Sequence, residues 1–305
     1  MRGAWDEGHK SLPIREVAMR LATIHTWAGP RAAVQRGDHF VDVHATDPDV
    51  PPSVRQILGE GPELLRAVEQ VAARADAIAY ETAKVKFLAP VYDPQKIVCI
   101  GLNYRDHAAE SGSPIPKEPI LFSKYPTALI GHGESIILPA VSREVDYEAE
   151  LVIVVGKRGR NLAAASAMEF VAGYTVGHDV SARDWQLKKD GKQWMVGKTF
   201  DTFAPVGPVL VTADEVPDPQ NLGIRLRLNG QTMQDSSTKQ LIFGVGEILA
   251  YLSQVFTLEP GDLIFTGTPP GVGFAKKPPL FLKGGDVVEI EIDGLGLLRN
   301  PVVQG

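Results

Sequence analysis

A chain of 305 residues, 44% hydrophobic and 22% charged, holds enough apolar material for one large domain, or for a main domain with a smaller companion. The formal net charge is −6 and no block of about five basic residues occurs, which argues against a nucleic acid or a membrane surface as partner and leaves small molecules. No apolar stretch approaches ~18 residues, and the polar opening segment lacks the apolar heart of a secretory signal, so the expectation is a soluble, cytoplasmic protein.

Along the chain, residues 1–18 read as an extension, because Met19 opens a strand-like Met-Arg-Leu-Ala-Thr-Ile run. Residues 19–90 combine short strands with an amphipathic helical stretch over 53–58 and 63–72, broken by Gly59 and Gly61-Pro62; nothing there suggests chemistry. This is expected to be a small α/β N-terminal domain. The proline-punctuated segment 88–94 is the expected link to a main domain spanning 91–305. The single cysteine, Cys99, sits in an apolar run and reads as a buried small hydrophobe.

From residue 97 onward β-like runs dominate, over 97–102, 120–123, 149–155, 173–178, 206–212, 224–228, 262–266 and 286–292. Asn229-Gly230 between two of them signals a two-residue hairpin. Helical patterns are fewer, at 163–171, 182–189 and 246–255. Strands and helices do not alternate regularly, which argues against a doubly wound sheet or a β/α barrel. The pattern predicts an α+β protein with a mostly antiparallel, coiled or barrel-like β core.

The chemistry concentrates in this second region. Glu148 and Glu150, in Val145-Asp-Tyr-Glu-Ala-Glu-Leu-Val-Ile, lead into an apolar run, and the two-residue period of a strand puts both carboxylates on one face. Like charges that close are relieved by a proton or by a cation, and a hard divalent metal suits such oxygen ligands; a solvated strand face is the alternative. Asp179 is a third acidic candidate. His107 and Glu110, three apart, would share a helix face as an imidazole base and its orienting carboxylate. Lys124 ends an apolar strand, and Lys198 lies in an uncharged, glycine-containing setting. Asp179, Arg183 and Gln186 follow helical spacing, a plausible seat for a carboxylate-bearing substrate. The loop Thr266-Gly-Thr-Pro-Pro-Gly-Val-Gly273 offers backbone N–H groups and hydroxyls, including that of Thr268, to anions. It lacks the endings of a phosphate loop or dinucleotide fingerprint. Zinc-ligand spacing and a serine-hydrolase elbow are absent from the sequence as well.

Five blocks, Gly101-Leu-Asn-Tyr-Arg-Asp-His, Glu148-Ala-Glu, His178-Asp-Val-Ser-Ala-Arg-Asp, Gly197-Lys-Thr-Phe-Asp and Thr266-Gly-Thr-Pro-Pro-Gly, occur in the order found in the fumarylacetoacetate hydrolase family. The chain resembles that family over roughly residues 85–303, and is most similar to its domain-containing protein 2 subgroup. The resemblance implies a mixed β-roll catalytic domain, a smaller N-terminal domain and a homodimer. It also implies that Glu148, Glu150 and Asp179 bind Mg²⁺ or Mn²⁺, with Ca²⁺ a further candidate. Arg183, Gln186, Lys198 and Thr268 would contact substrate oxygens, Lys124 would line the pocket, and His107 with Glu110 would form a lid dyad on a segment of about 103–118. The implied substrate is a 2-oxo or dicarboxylic acid whose ketone the metal polarises towards an enolate. Oxaloacetate keto–enol tautomerisation or a related isomerisation stands beside acylpyruvate-type C–C hydrolysis and decarboxylation. A metal- and dicarboxylate-binding protein without turnover is the reading from another class.

Overall fold

The computed structural model describes residues 18–305, so all but the last residue of the expected extension 1–18 lies outside the described part. Apolar alternation and β-branched residues start the chain in a meander of β1 (Arg20–Thr26), β2 (Gly29–Arg36) and β3 (His39–Asp42). Helices α1 (Val43–Thr46), α2 (Val54–Glu60) and α3 (Pro62–Ala72) follow, then β4 (Ala79–Glu81) and β5 (Phe87–Leu88). Asp42 caps α1 by accepting the Ala45 N–H, and Pro62 starts α3 at the position where a missing N–H costs nothing.

Next come β6 (Ile97–Gly101), α4 (Arg105–Glu110), β7 (Ile120–Lys124), β8 (Leu129–Ile130), β9 (Ile136–Leu138), β10 (Val145–Asp146), β11 (Ala149–Val155), β12 (Val171–His178) and β13 (Ser181–Ala182). The remainder runs α5 (Arg183–Leu187), α6 (Trp194–Lys198), β14 (Ala204–Thr212), β15 (Gly223–Leu228), β16 (Gln231–Ser237), α7 (Val245–Val255), β17 (Leu263–Phe265), β18 (Val287–Ile292) and β19 (Gly296–Gln304).

Twelve strands form one sheet in the order β4-β3-β2-β1-β14-β12-β11-β17-β6-β7, with β5 on β1 and β8 on β14; five form a second, β16-β15-β18-β19-β9. Among the described residues pairing is antiparallel except at β17–β6, β14–β8 and β19–β9, and no barrel closes. The α+β class and antiparallel preference read from the sequence are therefore observed. Asn229 and Gly230 take φ of 52° and 80° and join β15 to β16 in two residues, as their dipeptide predicts.

The expected helix at 163–171 is not formed. Only a 3₁₀ turn, Ala167–Phe170, appears, and Val171 instead pairs with Val155 to begin β12. A short alanine-rich segment has helix propensity, but the sheet register of a buried valine outweighs it. Among the described residues no helix is long and apolar enough to cross a membrane.

The core lies on both faces of β11, every residue of which is buried. Leu151 and Ile153 belong to one buried apolar cluster with the second sheet's Ile290 and Leu226, while Val152 and Val154 belong to another with Ile57 and Val68 of α2 and α3. A strand covered on both sides reads as an unbroken apolar run, as residues 151–155 do.

Candidate metal centre and active site

The glutamates enter the molecule at its most buried strand. Glu150 is the second residue of β11 and Glu148 immediately precedes the strand, so both point to one face; each is almost wholly buried. Opposite Glu150 stands Gly177, where a Cβ would lie 2.3 Å from Val152 Cγ2. Asp179 follows β12, and its N–H donates to Glu148 O at 3.0 Å, which brings the third carboxylate alongside. One oxygen from each of Glu148, Glu150 and Asp179 lies within 4.8 Å of the others. The solvated-face alternative is thereby excluded.

Three buried cations surround this cluster. Lys198 Nζ, at the end of α6, donates to Glu148 Oε2 and Asp179 Oδ2, both at 2.8 Å. Lys124 Nζ, at the end of β7, donates to Phe203 O at 2.8 Å, Val180 O at 3.2 Å and Lys198 O. It also lies 2.7 Å from Asp179 Oδ1, an ion-pair contact without hydrogen-bond geometry. Arg183, first residue of α5, donates to Asp146 Oδ2 at 2.8 Å, Glu148 Oε1 at 2.6 Å and Gln186 Oε1 at 2.9 Å. Gly267 N donates to Glu150 Oε2 at 2.6 Å; its φ of 99° and the nearby Asn103 Cβ, 2.8 Å from where a Cβ would stand, call for glycine there.

The carboxyls are driven apart in acidity. Burial pushes Glu148 up, but Lys198 and Arg183 outweigh it and hold the group down to about 2. Burial pushes Glu150 well above the usual range, and Asp179 and Glu148 push the same way. Lys198 and Arg183 are lowered by burial and raised further by their carboxylate partners, so both stay charged. Among the described residues Glu150 has no cationic partner in hydrogen-bond contact, and Asp179 Oδ1 accepts no hydrogen bond. Oxygen donors only, with lone pairs to spare and a carboxyl that ionises when a dication supplies the missing charge, fit a hard divalent metal ion.

Four buried carboxyls, Asp146, Glu148, Glu150 and Asp179, face three buried cations, Lys124, Arg183 and Lys198. With Glu150 protonated these charges cancel.

Above the cluster, α4 carries the predicted dyad. His107 Nδ1 lies 2.9 Å from Glu110 Oε2, and Glu110 Oε1 accepts the Gly271 N–H at 2.9 Å. The helix is further tied down by Ser236, whose hydroxyl donates to Asp106 Oδ2 at 2.6 Å. The His107 charge is close enough to lower Glu148. Thr268 Oγ1 accepts from Gln234 Nε2 at 2.8 Å, which leaves its own proton free to donate. All ten residues singled out from the sequence thus fall in or against one region.

Sequence reasoning missed three supports. Asp146 accepts from Arg183 and from the N–H groups of Tyr147, Gly273 and Phe274. Gln234 accepts the Ala149 N–H and donates to Thr268 Oγ1 and Pro269 O. Asn103 donates to Phe243 O and Thr266 O, and accepts the Phe243 N–H. A signal existed for Asp146, since 146, 148 and 150 keep one alternation; Gln234 had none.

The fumarylacetoacetate (FAA) hydrolase C-terminal family model matches residues 96–303. The chain belongs to the fumarylacetoacetate hydrolase family. It is 47% identical over 305 residues to the mitochondrial oxaloacetate tautomerase fahd2 of Xenopus laevis, covering 97% of this chain and 95% of that one. It is 48% identical over 277 residues to fumarylacetoacetate hydrolase domain-containing protein 2 of Pongo abelii, covering 90% and 88%. A crystal structure of maleylpyruvate hydrolase from Sphingobium sp. SYK-6 with manganese(II) and pyruvate superimposes with a TM-score of 0.79 at 33% identity, covering 94% of this chain and 100% of that one. The family resemblance read from five sequence blocks is therefore correct.

The cytoplasmic placement is not. Relatives matching about nine-tenths of this fumarylacetoacetate hydrolase family chain are named as mitochondrial, which overturns it. Lack of an apolar signal core bears on secretion alone, and the folding physics of an aqueous interior does not distinguish one compartment from another.

Proposed function

We propose that this family member is a divalent-metal-dependent oxaloacetate keto–enol tautomerase. The observation that carries the proposal is the buried trio Glu148, Glu150 and Asp179, ringed by Lys124, Arg183 and Lys198. The Xenopus relative's name supports the substrate, and the manganese–pyruvate neighbour supports a 2-oxo acid on a metal. In this reading Glu148, Glu150 and Asp179 hold Mg²⁺ or Mn²⁺. When bound, the ion supplies Lewis acidity, polarising the 2-oxo group and stabilising negative charge on its oxygen.

The protein's own groups do the rest. Arg183, itself held by Asp146 and Gln186, fixes the Glu148 carboxylate so that it cannot rotate away, and Lys124 does the same for Asp179. Lys198, kept cationic by its two carboxylates, presents its remaining N–H to a substrate oxygen, and Thr268 offers its hydroxyl proton to the substrate carboxylate. Glu110 orients His107 through Nδ1, which leaves Nε2 to take a proton from C3 and return it to oxygen.

The same dyad favours a second reading, C–C hydrolysis or decarboxylation, because an imidazole so oriented also activates water; the maleylpyruvate hydrolase neighbour supports it. Proton NMR of the protein with oxaloacetate or acetylpyruvate in partly deuterated water, with Mg²⁺ and with chelator, separates the outcomes. Metal-dependent deuterium uptake at C3 without new carbon products supports the tautomerase. Pyruvate with CO₂ or with acetate establishes cleavage instead. No metal-dependent change with any 2-oxo acid would leave only metal and dicarboxylate binding. We also propose a homodimer, for which the exposed Ile137 and Val303 on β9 and β19, at the end of the second sheet, provide apolar surface; light scattering at the monomer mass would sink it.

A further inference from the structure

One aromatic pair, Phe122 and Trp194, stands beside the site. Phe122 shares a face of β7 with Lys124, two residues on, and its ring centroid lies 5.1 Å from Lys198 Nζ. Trp194, the first residue of the helix that ends in Lys198, meets Phe122 edge to face with centroids 5.9 Å apart. The benzo edge of the indole fills the space above Gly101, where a Cβ would stand 2.3 Å from Trp194 Cζ3. Gly101 ends β6 directly before the segment leading into the α4 lid. Contacts therefore run outwards from the carboxylates to Lys198, Phe122, Trp194 and the notch at Gly101. Both rings are only half-buried, so the pair stands at the rim rather than in the core.

We propose that Trp194, seated in the Gly101 notch and braced by Phe122, is a specificity-determining wall that limits the tail length of the 2-oxo acid. The inference rests on the 2-oxo-acid reading of the preceding subsection and adds the discrimination among such acids. A flat, rigid, apolar ring pair one side chain away from the ligand cluster would, in this reading, admit a short head and oppose a long acyl tail. Removing a large ring opens space that an apolar tail can fill, and discrimination by apolar bulk of this kind is worth on the order of tenfold to a hundredfold.

The test measures Kd of the Mn²⁺-loaded protein for pyruvate and for a 2,4-dioxo acid with an extended alkyl tail, by calorimetry, together with kcat/KM for each acid that turns over. Trp194→Ala is expected to shift the ratio by about tenfold or more towards the long-tailed acid while Mn²⁺ affinity is retained. Gly101→Ala, which displaces the ring, is expected to change the same ratio in wild type and to have little further effect in the Trp194→Ala background, the coupling expected of one contact. An unchanged ratio in both single variants overturns the inference while leaving the 2-oxo-acid site intact. Failure of the wild type to bind either acid overturns that reading, and the inference falls with it. Should Trp194→Ala lose Mn²⁺ binding through misfolding, Trp194→Leu and Gly101→Ala decide by the same ratio.

Discussion

Glu150 and Glu148 differ in what they lack. Glu148 accepts from two cations, Lys198 and Arg183, and ionises readily, whereas Glu150 has one backbone N–H and two repelling neighbours. Glu150→Gln, which keeps the shape and removes the charge, should therefore weaken Mn²⁺ binding at least tenfold and cut turnover with it; full activity at equal metal occupancy would disprove the assignment. His107→Ala should instead spare Mn²⁺ affinity and lower kcat by roughly 10²–10⁴, since the role proposed for it is proton transfer.

His178 supplies a pH dependence of known sign. Burial first, then the Lys124 charge, lower it to about 3, and neither ring nitrogen has a hydrogen-bond partner among the described residues. A histidine depressed when folded binds its proton more readily unfolded. Its contribution to stability is thus fully present above the ordinary value near 6.5, and is lost as pH falls from there towards 3, at up to ~1.4 kcal/mol per pH unit. A dication held by Asp179 next door strengthens the effect. NMR should find the imidazole still neutral at pH 5, and His178→Leu should flatten the fall of Tm over that window; a protonated imidazole at pH 5 would refute this.

At the scale of elements, β11 and β12 are bound by close packing around Gly177. Gly177→Ala forces a methyl against Val152 and Phe265, so a loss of ~1–3 kcal/mol is expected in denaturant titration, with the metal site disturbed through the opposed Glu150. The sequence showed β11 plainly, because a strand covered on both faces carries an uninterrupted apolar run. It also showed the hairpin at Asn229-Gly230, whose conformation is demanded locally. The helix expected at 163–171 failed because local propensity says nothing of a distant partner strand. The carboxylates were legible through their two-residue spacing, and Asp146 could have been read from the same alternation. Gln234 could not, since a lone glutamine on β16 acquires its role only when the second sheet delivers it to Ala149 and Thr268.

For the molecule as a whole, β1 pairs with β14, and α2 and α3 pack against the same face as Val152 and Val154. The proposed boundary at residues 88–94 therefore separates stretches that share a sheet and a core. We expect one cooperative unfolding transition, with the same midpoint by circular dichroism and by tryptophan fluorescence; two resolved midpoints would show independent units.

The cancelling charges around the carboxylate cluster have a further effect on how the protein is used. If Glu150 takes up a proton when no ion is bound, the site is balanced by its own cations and does not need the ion in order to fold, unlike domains built on a structural metal. Chelation should idle this protein without unfolding it, and returning the divalent ion should restart it within the time of ion entry. Its catalytic capacity would then follow the supply of free divalent ion from moment to moment, while the number of folded molecules stayed constant.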